Sequence, residues 1–147
     1  MAASAQTYNN PSQTTNNKNI KVVKVIRTNE YTIVHFNYNI TQYAFEGRPL
    51  SITRMSLVDD DTETVYKAKK PLNFTNDKKY DVGLHTFKVQ FPPLPKSVSV
   101  VRFRSTVKKD EQSAYEPWRV VMQLPPPTSS QSKNNNNSNK TVNINVY

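Results

Sequence analysis

Through the middle of the chain, apolar positions alternate with polar ones. A period of two marks strands that bury one face. Ile20–Thr28 (IKVVKVIRT) is rich in β-branched residues. In Tyr31–Ile40, Val34, Phe36, Tyr38 and Ile40 fall on one face and Ile33, His35 and Asn37 on the other. Thr28-Asn29-Glu30 is short enough to be the hairpin turn between these two segments, although it lacks glycine. Leu50–Val58 predicts a third strand and Glu63–Lys69 a fourth, which ends before Pro71. Asp59-Asp60-Asp61 between them reads as a turn, because Asp side chains bond their own backbone. In Leu84–Phe91, Phe87, Val89 and Phe91 face inward and Thr86, Lys88 and Gln90 outward, and Pro92-Pro93-Leu94-Pro95 stops the run. Ser97–Ser105 and Trp118–Leu124 complete seven strands. The predicted core is Val23, Val25, Val34, Phe36, Tyr38, Ile52, Phe87, Val89, Phe91, Val101, Phe103, Val120 and Met122.

Helix-compatible spacing is confined to Thr41–Glu46, which is short and followed by Gly47 and Pro49. The expected fold is therefore all-β, a single antiparallel sandwich of about seven strands over residues 18–124, with a closed barrel as the alternative. The flanks differ in kind. Residues 1–17 are mostly Ala, Ser, Gln, Thr and Asn and predict a flexible N-terminal arm. Residues 125–140 open with Pro125-Pro126-Pro127, continue as an Asn-rich polar tract, and read as a linker. Residues 141–147 (TVNINVY) change character again. Val142, Ile144 and Val146 alternate with polar residues and Tyr147 follows, which predicts a strand arm able to pair with an open sheet edge of its own domain or of a neighbour.

Composition narrows the chemistry. The 147 residues include no cysteine, so disulfides, thiolate metal sites and cysteine nucleophiles are excluded. The two glycines, Gly47 and Gly83, are too few for a glycine-rich phosphate loop. No apolar run approaches the ~18 residues of a membrane span, and MAASAQTYNN lacks the basic and apolar regions of a secretory signal. Net charge is +9, and residues 18–124 hold all 11 acids and 18 of the 20 Lys and Arg.

Those cations fall into two groups. Lys67, Lys69 and Lys70 lie together, with Lys78 and Lys79 near in sequence. Arg102, Arg104, Lys108 and Lys109 form the second, to which Arg54 and Arg119 can add, and Arg102 and Arg104 share a strand face. Three readings follow: docking on an acidic protein surface, a solvated face with edge-protecting lysines, or nucleic-acid binding with Tyr31, Tyr38, Tyr43, Phe45 or Tyr66 as stacking partners. Docking is the preferred one. A metal site would need His35 and His85 together with an acid from Asp59–Asp61, Asp77 or Asp81, and no HxxxH or HxH pair preorganises one. Asp59–Glu63 lacks the central glycine of a calcium loop. Trp118 is expected to be a core or edge anchor, with a surface hot spot as the alternative. No catalytic residue, cofactor or metal is predicted.

The segment Tyr80-x-x-Gly83-x-His85-x-Phe87-x-Val89-x-Phe91-x-Pro93-Leu94-Pro95-Lys96, with Glu30–Phe36 before it, resembles small immunoglobulin-like domains common in Bacteroidota envelope and secreted proteins. The resemblance implies a β-sandwich and carries no activity. A leaderless, Asn-rich sandwich with polar arms looks like an auxiliary or decoration protein of a phage virion from such hosts. The expected function is thus structural and non-enzymatic, in a virion assembled in host cytoplasm, with capsid or other virion proteins, or further copies of itself, as partners and no membrane. A small basic nucleic-acid-binding barrel of OB type is the alternative, and a carbohydrate-binding sandwich a third.

Overall fold

A computed structural model describes residues 5–41, 50–78, 80–106 and 117–125. Ten strands run in chain order: β1 (Gln6–Asn9), β2 (Gln13–Thr15), β3 (Ile20–Arg27), β4 (Thr32–Ile40), β5 (Met55–Asp59), β6 (Val65–Lys67), β7 (Lys70–Pro71), β8 (Gly83–Phe91), β9 (Val100–Ser105) and β10 (Trp118–Gln123). They form two antiparallel five-stranded sheets, ordered β1-β3-β4-β8-β7 (sheet A) and β2-β10-β9-β5-β6 (sheet B). No α-helix occurs among the described residues. The fold is all-β, and the sheets pack face to face on one apolar core.

The sequence expectation of seven strands is corrected to ten among the described residues. Two of the additions, β1 and β2, lie in the stretch read as a flexible arm, and pairing holds them in place. β1 hydrogen-bonds along β3, the chain crosses at Asn10–Ser12, and β2 then pairs with β10 in the other sheet. The Gln13 side chain closes this crossing: its Nε2 donates to the Val22 carbonyl (2.7 Å) and its Oε1 accepts the Val22 N–H (2.8 Å). A third addition, β7, lies just past the predicted strand Glu63–Lys69, whose paired part is β6. β6 pairs with β5 in sheet B, whereas β7 pairs with β8 in sheet A. Residues 42–49, 107–116 and 126–147 lie outside the described residues. With them lie the expected helix-compatible stretch beyond Thr41, the linker beyond Pro125 and the strand arm 141–147.

Alternation places the core much as expected. Val34, Phe36, Phe87, Val89, Phe91, Val101, Phe103, Val120 and Met122 are all buried. Phe36 is the hub, with ring centroids 5.6 Å from Phe87, 5.0 Å from Phe103 and 6.1 Å from Trp118, so it joins both sheets. Trp118 is a core anchor, its indole edge-on to Tyr38 at 4.8 Å. Val25 is buried with them. Three expected core positions are corrected, and the first, Tyr38, is half-buried against the core. Val23 is half-buried and Val22 takes its place inside, because a β-bulge between Val22 and Lys24 inserts one extra residue and changes the phase of the strand. Ile52 is half-buried because Ile52–Arg54 forms a single 3-10 turn before β5 begins. Past the bulge, Arg27 faces inward with Val25.

Candidate functional site

The outer face of sheet B carries three of the five predicted interaction residues that are described, Lys67, Arg102 and Arg104. Strand register aligns Lys67, Ser56, Arg104 and Arg119 in one row across β6, β5, β9 and β10. The adjacent row holds Val65, Val58, Arg102, Val121 and Thr14. Lys67 therefore joins Arg104 and Arg119, and leaves Lys70, which sits in sheet A opposite Gln90. Lys67, Lys69 and Lys70, grouped by sequence proximity, fall on different elements, because the chain changes sheets between Lys67 and Lys70. Lys69 lies at that crossing, its N–H bonded to the Gln90 carbonyl at 2.7 Å. Lys78 stands over the Tyr80 ring. Lys108, Lys109, Val142, Ile144, Val146 and Tyr147 lie outside the described residues, as does Lys79.

Arg102 is not a free cation. Its Nε donates to Asp60 Oδ1 at 3.0 Å and its Nη2 to Glu63 Oε2. These are the only ion pairs among the described residues. The acidic turn thus folds back onto this chain's own arginine. Asp59, one residue earlier, accepts the Asp61 N–H at 3.0 Å and the Thr62 hydroxyl at 2.9 Å. The Asp61 N–H holds its carboxyl below the usual carboxylate range, assisted by Thr62 and opposed by burial. The run is a turn in which Asp59, Asp60 and Glu63 rest their carboxylates on protein donors. Beside it, Thr14, Asn16, Arg102, Arg119 and Val121 line a shallow depression of about 410 Å³ with Asp60 and Glu63. Its polar, open walls differ from the enclosed, mainly apolar pockets that hold small ligands.

Sheet A presents a different outer face. Register sets Lys24, His35 and Lys88 side by side across β3, β4 and β8, with Lys21, Asn37 and Thr86 in the next row. Adjacent strands lie about 4.8 Å apart, so His35 has a lysine as its direct neighbour on each side. Burial pushes the His35 imidazole below its usual value, and the Lys88 and Lys24 charges push it further the same way. Asn37 and Thr86 bond to each other at 2.7 Å. No described carboxylate pairs with Lys21, Lys24 or Lys88. Sequence reasoning left these three lysines out of the interaction set. The signal was present, since Lys88 was placed outward beside Thr86 and Gln90, but joining it to Lys24 requires the bulge and the strand order.

The two histidines project from opposite faces of sheet A. His35 is outward, whereas His85 lies on the inner side, stacked on Phe87 at 5.8 Å, its Nε2–H donating to the Asp81 carbonyl at 2.7 Å. They cannot share an ion, and no cluster of three or more metal-ligating His, Asp or Glu occurs among the described residues. Tyr38 and Tyr66 pack against the core, which removes them as stacking platforms. Tyr43 and Phe45 lie outside the described residues. No helix among the described residues is long and apolar enough to cross a membrane. Comparison with protein-family models, curated proteins and solved structures found no match to this chain.

Proposed function

We propose that this chain is a non-enzymatic structural protein of a large assembly, an Ig-like sandwich that docks on acidic surfaces of neighbouring subunits. The observation that carries the reading is the Lys24–His35–Lys88 row on sheet A. Three basic side chains are held side by side on a sheet, next to Lys21, with no described counter-ion. Lys24 and Lys88, fixed two strand spacings apart on either side of His35, repel one another, and an acidic partner relieves that repulsion while setting its own register. Arg104, Arg119 and Lys67 extend the basic character to sheet B. The virion setting, as an auxiliary or decoration protein, rests on the resemblance of the Tyr80–Lys96 segment to Bacteroidota sandwich domains. Residues 141–147 serve in this reading as an arm to a neighbour.

Nucleic acid fits this face less well. Single-strand binders interleave cations with exposed Tyr, Phe or Trp rings, whereas the one ring within these rows is the half-buried His35 imidazole, among Lys21, Lys24, Asn37, Thr86, Lys88 and Gln90.

The test uses poly-glutamate as a stand-in for an acidic surface and a DNA duplex as competitor. Reversing Lys24 and Lys88 to Glu together should lower poly-glutamate affinity about tenfold or more at low salt, and screening should erode wild-type binding toward ~0.15 M salt. A Lys96→Glu variant, altered in an exposed loop, should bind as wild type. Equal binding by the double reversal would refute the docking face. Tighter binding to duplex than to poly-glutamate would replace it with the nucleic-acid reading.

A further inference from the structure

Four large apolar side chains stand out from the described surface: Val65, Leu72, Val82 and Leu84, the last 66% exposed. Three of them gather along one edge of β8. Leu72 follows β7 and donates its N–H to the Lys88 carbonyl, Leu84 lies near the start of β8, and Val82 precedes it. This edge is closed by a strand only at Val89 and Gln90, where β7 pairs. Beyond that, one side chain imitates a strand. Asn73 Nδ2 donates to the Thr86 carbonyl at 2.9 Å, and its Oδ1 accepts the Lys88 N–H at 2.7 Å. The chain then turns inward at Phe74, whose ring meets Phe87.

Main-chain groups on a strand point to alternate sides residue by residue. Thr86, Lys88 and Gln90 direct theirs to the β7 side. By the same parity, Leu84 directs its N–H and C=O there too, and past Asn73 no described strand receives them. An open edge flanked by exposed apolar side chains is the usual receptor for an added strand. The other three edges differ. β1 and β2 offer polar residues on their exposed positions, and β6 offers Val65 alone.

Building on the arm assigned above, we infer that residues 141–147 add to this edge as a strand antiparallel to β8. With Ile144 opposite Leu84, Val146 lies beside Val82, and Val142 falls at the end of the open stretch, beside Thr86, whose carbonyl Asn73 already caps, so the apolar face of the segment covers Leu84 and Val82. Asn143 and Asn145 then turn to the other face. Reach is sufficient. Residues 126–140, extended, span about 50 Å, whereas the nine residues of β8 cover about 30 Å. The occupant comes from the same chain or from a second copy, and the receptor edge is the same.

The chain has no cysteine, so paired cysteines report the contact in full-length protein without a background. A Leu84→Cys, Ile144→Cys protein should form an 84–144 disulfide under mild oxidation, within one chain or between two. Leu84→Cys with Asn143→Cys, and Thr7→Cys on the β1 edge with Ile144→Cys, should cross-link several-fold less. In the wild-type protein, deleting residues 141–147 should lower hydrogen-exchange protection of the Leu84 amide about tenfold or more, while Val34 keeps its protection. Equal cross-linking of all three pairs, or unchanged Leu84 protection after the deletion, would overturn the inference. Neither measurement involves an acidic partner, so its failure is separable from failure of the basic docking face.

Discussion

Arg27 is a buried guanidinium with no described carboxylate paired to it. It is 7% exposed and donates to three main-chain carbonyls: Pro95 at 2.8 Å, Val98 at 2.9 Å and Leu124 at 3.3 Å. The planar fork thereby ties β3 to the loop after β8 and to the residue that follows β10. A hydrogen bond from a charged donor contributes about 1.5–3 kcal/mol, so the two short bonds supply about 3–6 kcal/mol. Against this stands the loss of guanidinium hydration, several kcal/mol for a fully buried ion. Replacing Arg27 with Met removes both terms and leaves the carbonyls without donors. The expected net loss is about 2–4 kcal/mol. In urea denaturation, with a slope of about 1.5 kcal/mol per molar, the midpoint should fall by about 1.3–2.7 M while the slope stays constant. Arg27→Lys should be no better than Arg27→Met, because an ammonium keeps the desolvation cost and cannot reach three divergent carbonyls. A midpoint within about 0.3 M of wild type for Met, or recovery of wild-type stability with Lys, would refute the reasoning.

Phe36→Ala should lose about 3–5 kcal/mol by leaving a cavity among Phe87, Phe103 and Trp118, and a wild-type melting temperature would place Phe36 outside the core. His35 should titrate below its usual value of about 6.5 in NMR. Lys88→Gln should restore only part of the shift, because burial is the larger cause. A depressed folded value means that the stability linked to His35 is present above about pH 6.5 and is lost as pH falls through the folded value. A midpoint at or above the ordinary one would contradict the Lys24–His35–Lys88 arrangement.

Legibility followed burial. β4, β8 and β10 are readable because each sets three apolar side chains at a period of two into one core. β1 and β2 are opaque because an edge strand needs main-chain bonds more than side-chain burial. Between them only Tyr8 and Gln13 signal attachment, through the Tyr8 hydroxyl to the Pro125 carbonyl at 2.6 Å and the Gln13 amide to Val22. Spacing correctly put Arg102 and Arg104 on one face. It could not tell that Asp60 and Glu63 claim Arg102, since that contact spans about forty residues and depends on β5 lying beside β9. The split of Lys67 from Lys70 was equally invisible, because a change of sheet leaves no local pattern when both partners are lysines.

The bulge in β3 has a consequence for how this fold tolerates changes in length. Val23 is the residue without an opposite number on β4. Removing it would leave Ile20, Val22, Val25 and Arg27 at strict alternation, each still on the face it occupies now. Removing a residue from the uninterrupted β4 ladder, at Ile33 for example, would instead invert every side chain on one side of the cut. The ladder is therefore not uniformly intolerant of insertion and deletion. It contains one position where the chain already carries a surplus residue, and a lineage that drifts in length has a neutral step available there that the neighbouring strand does not offer.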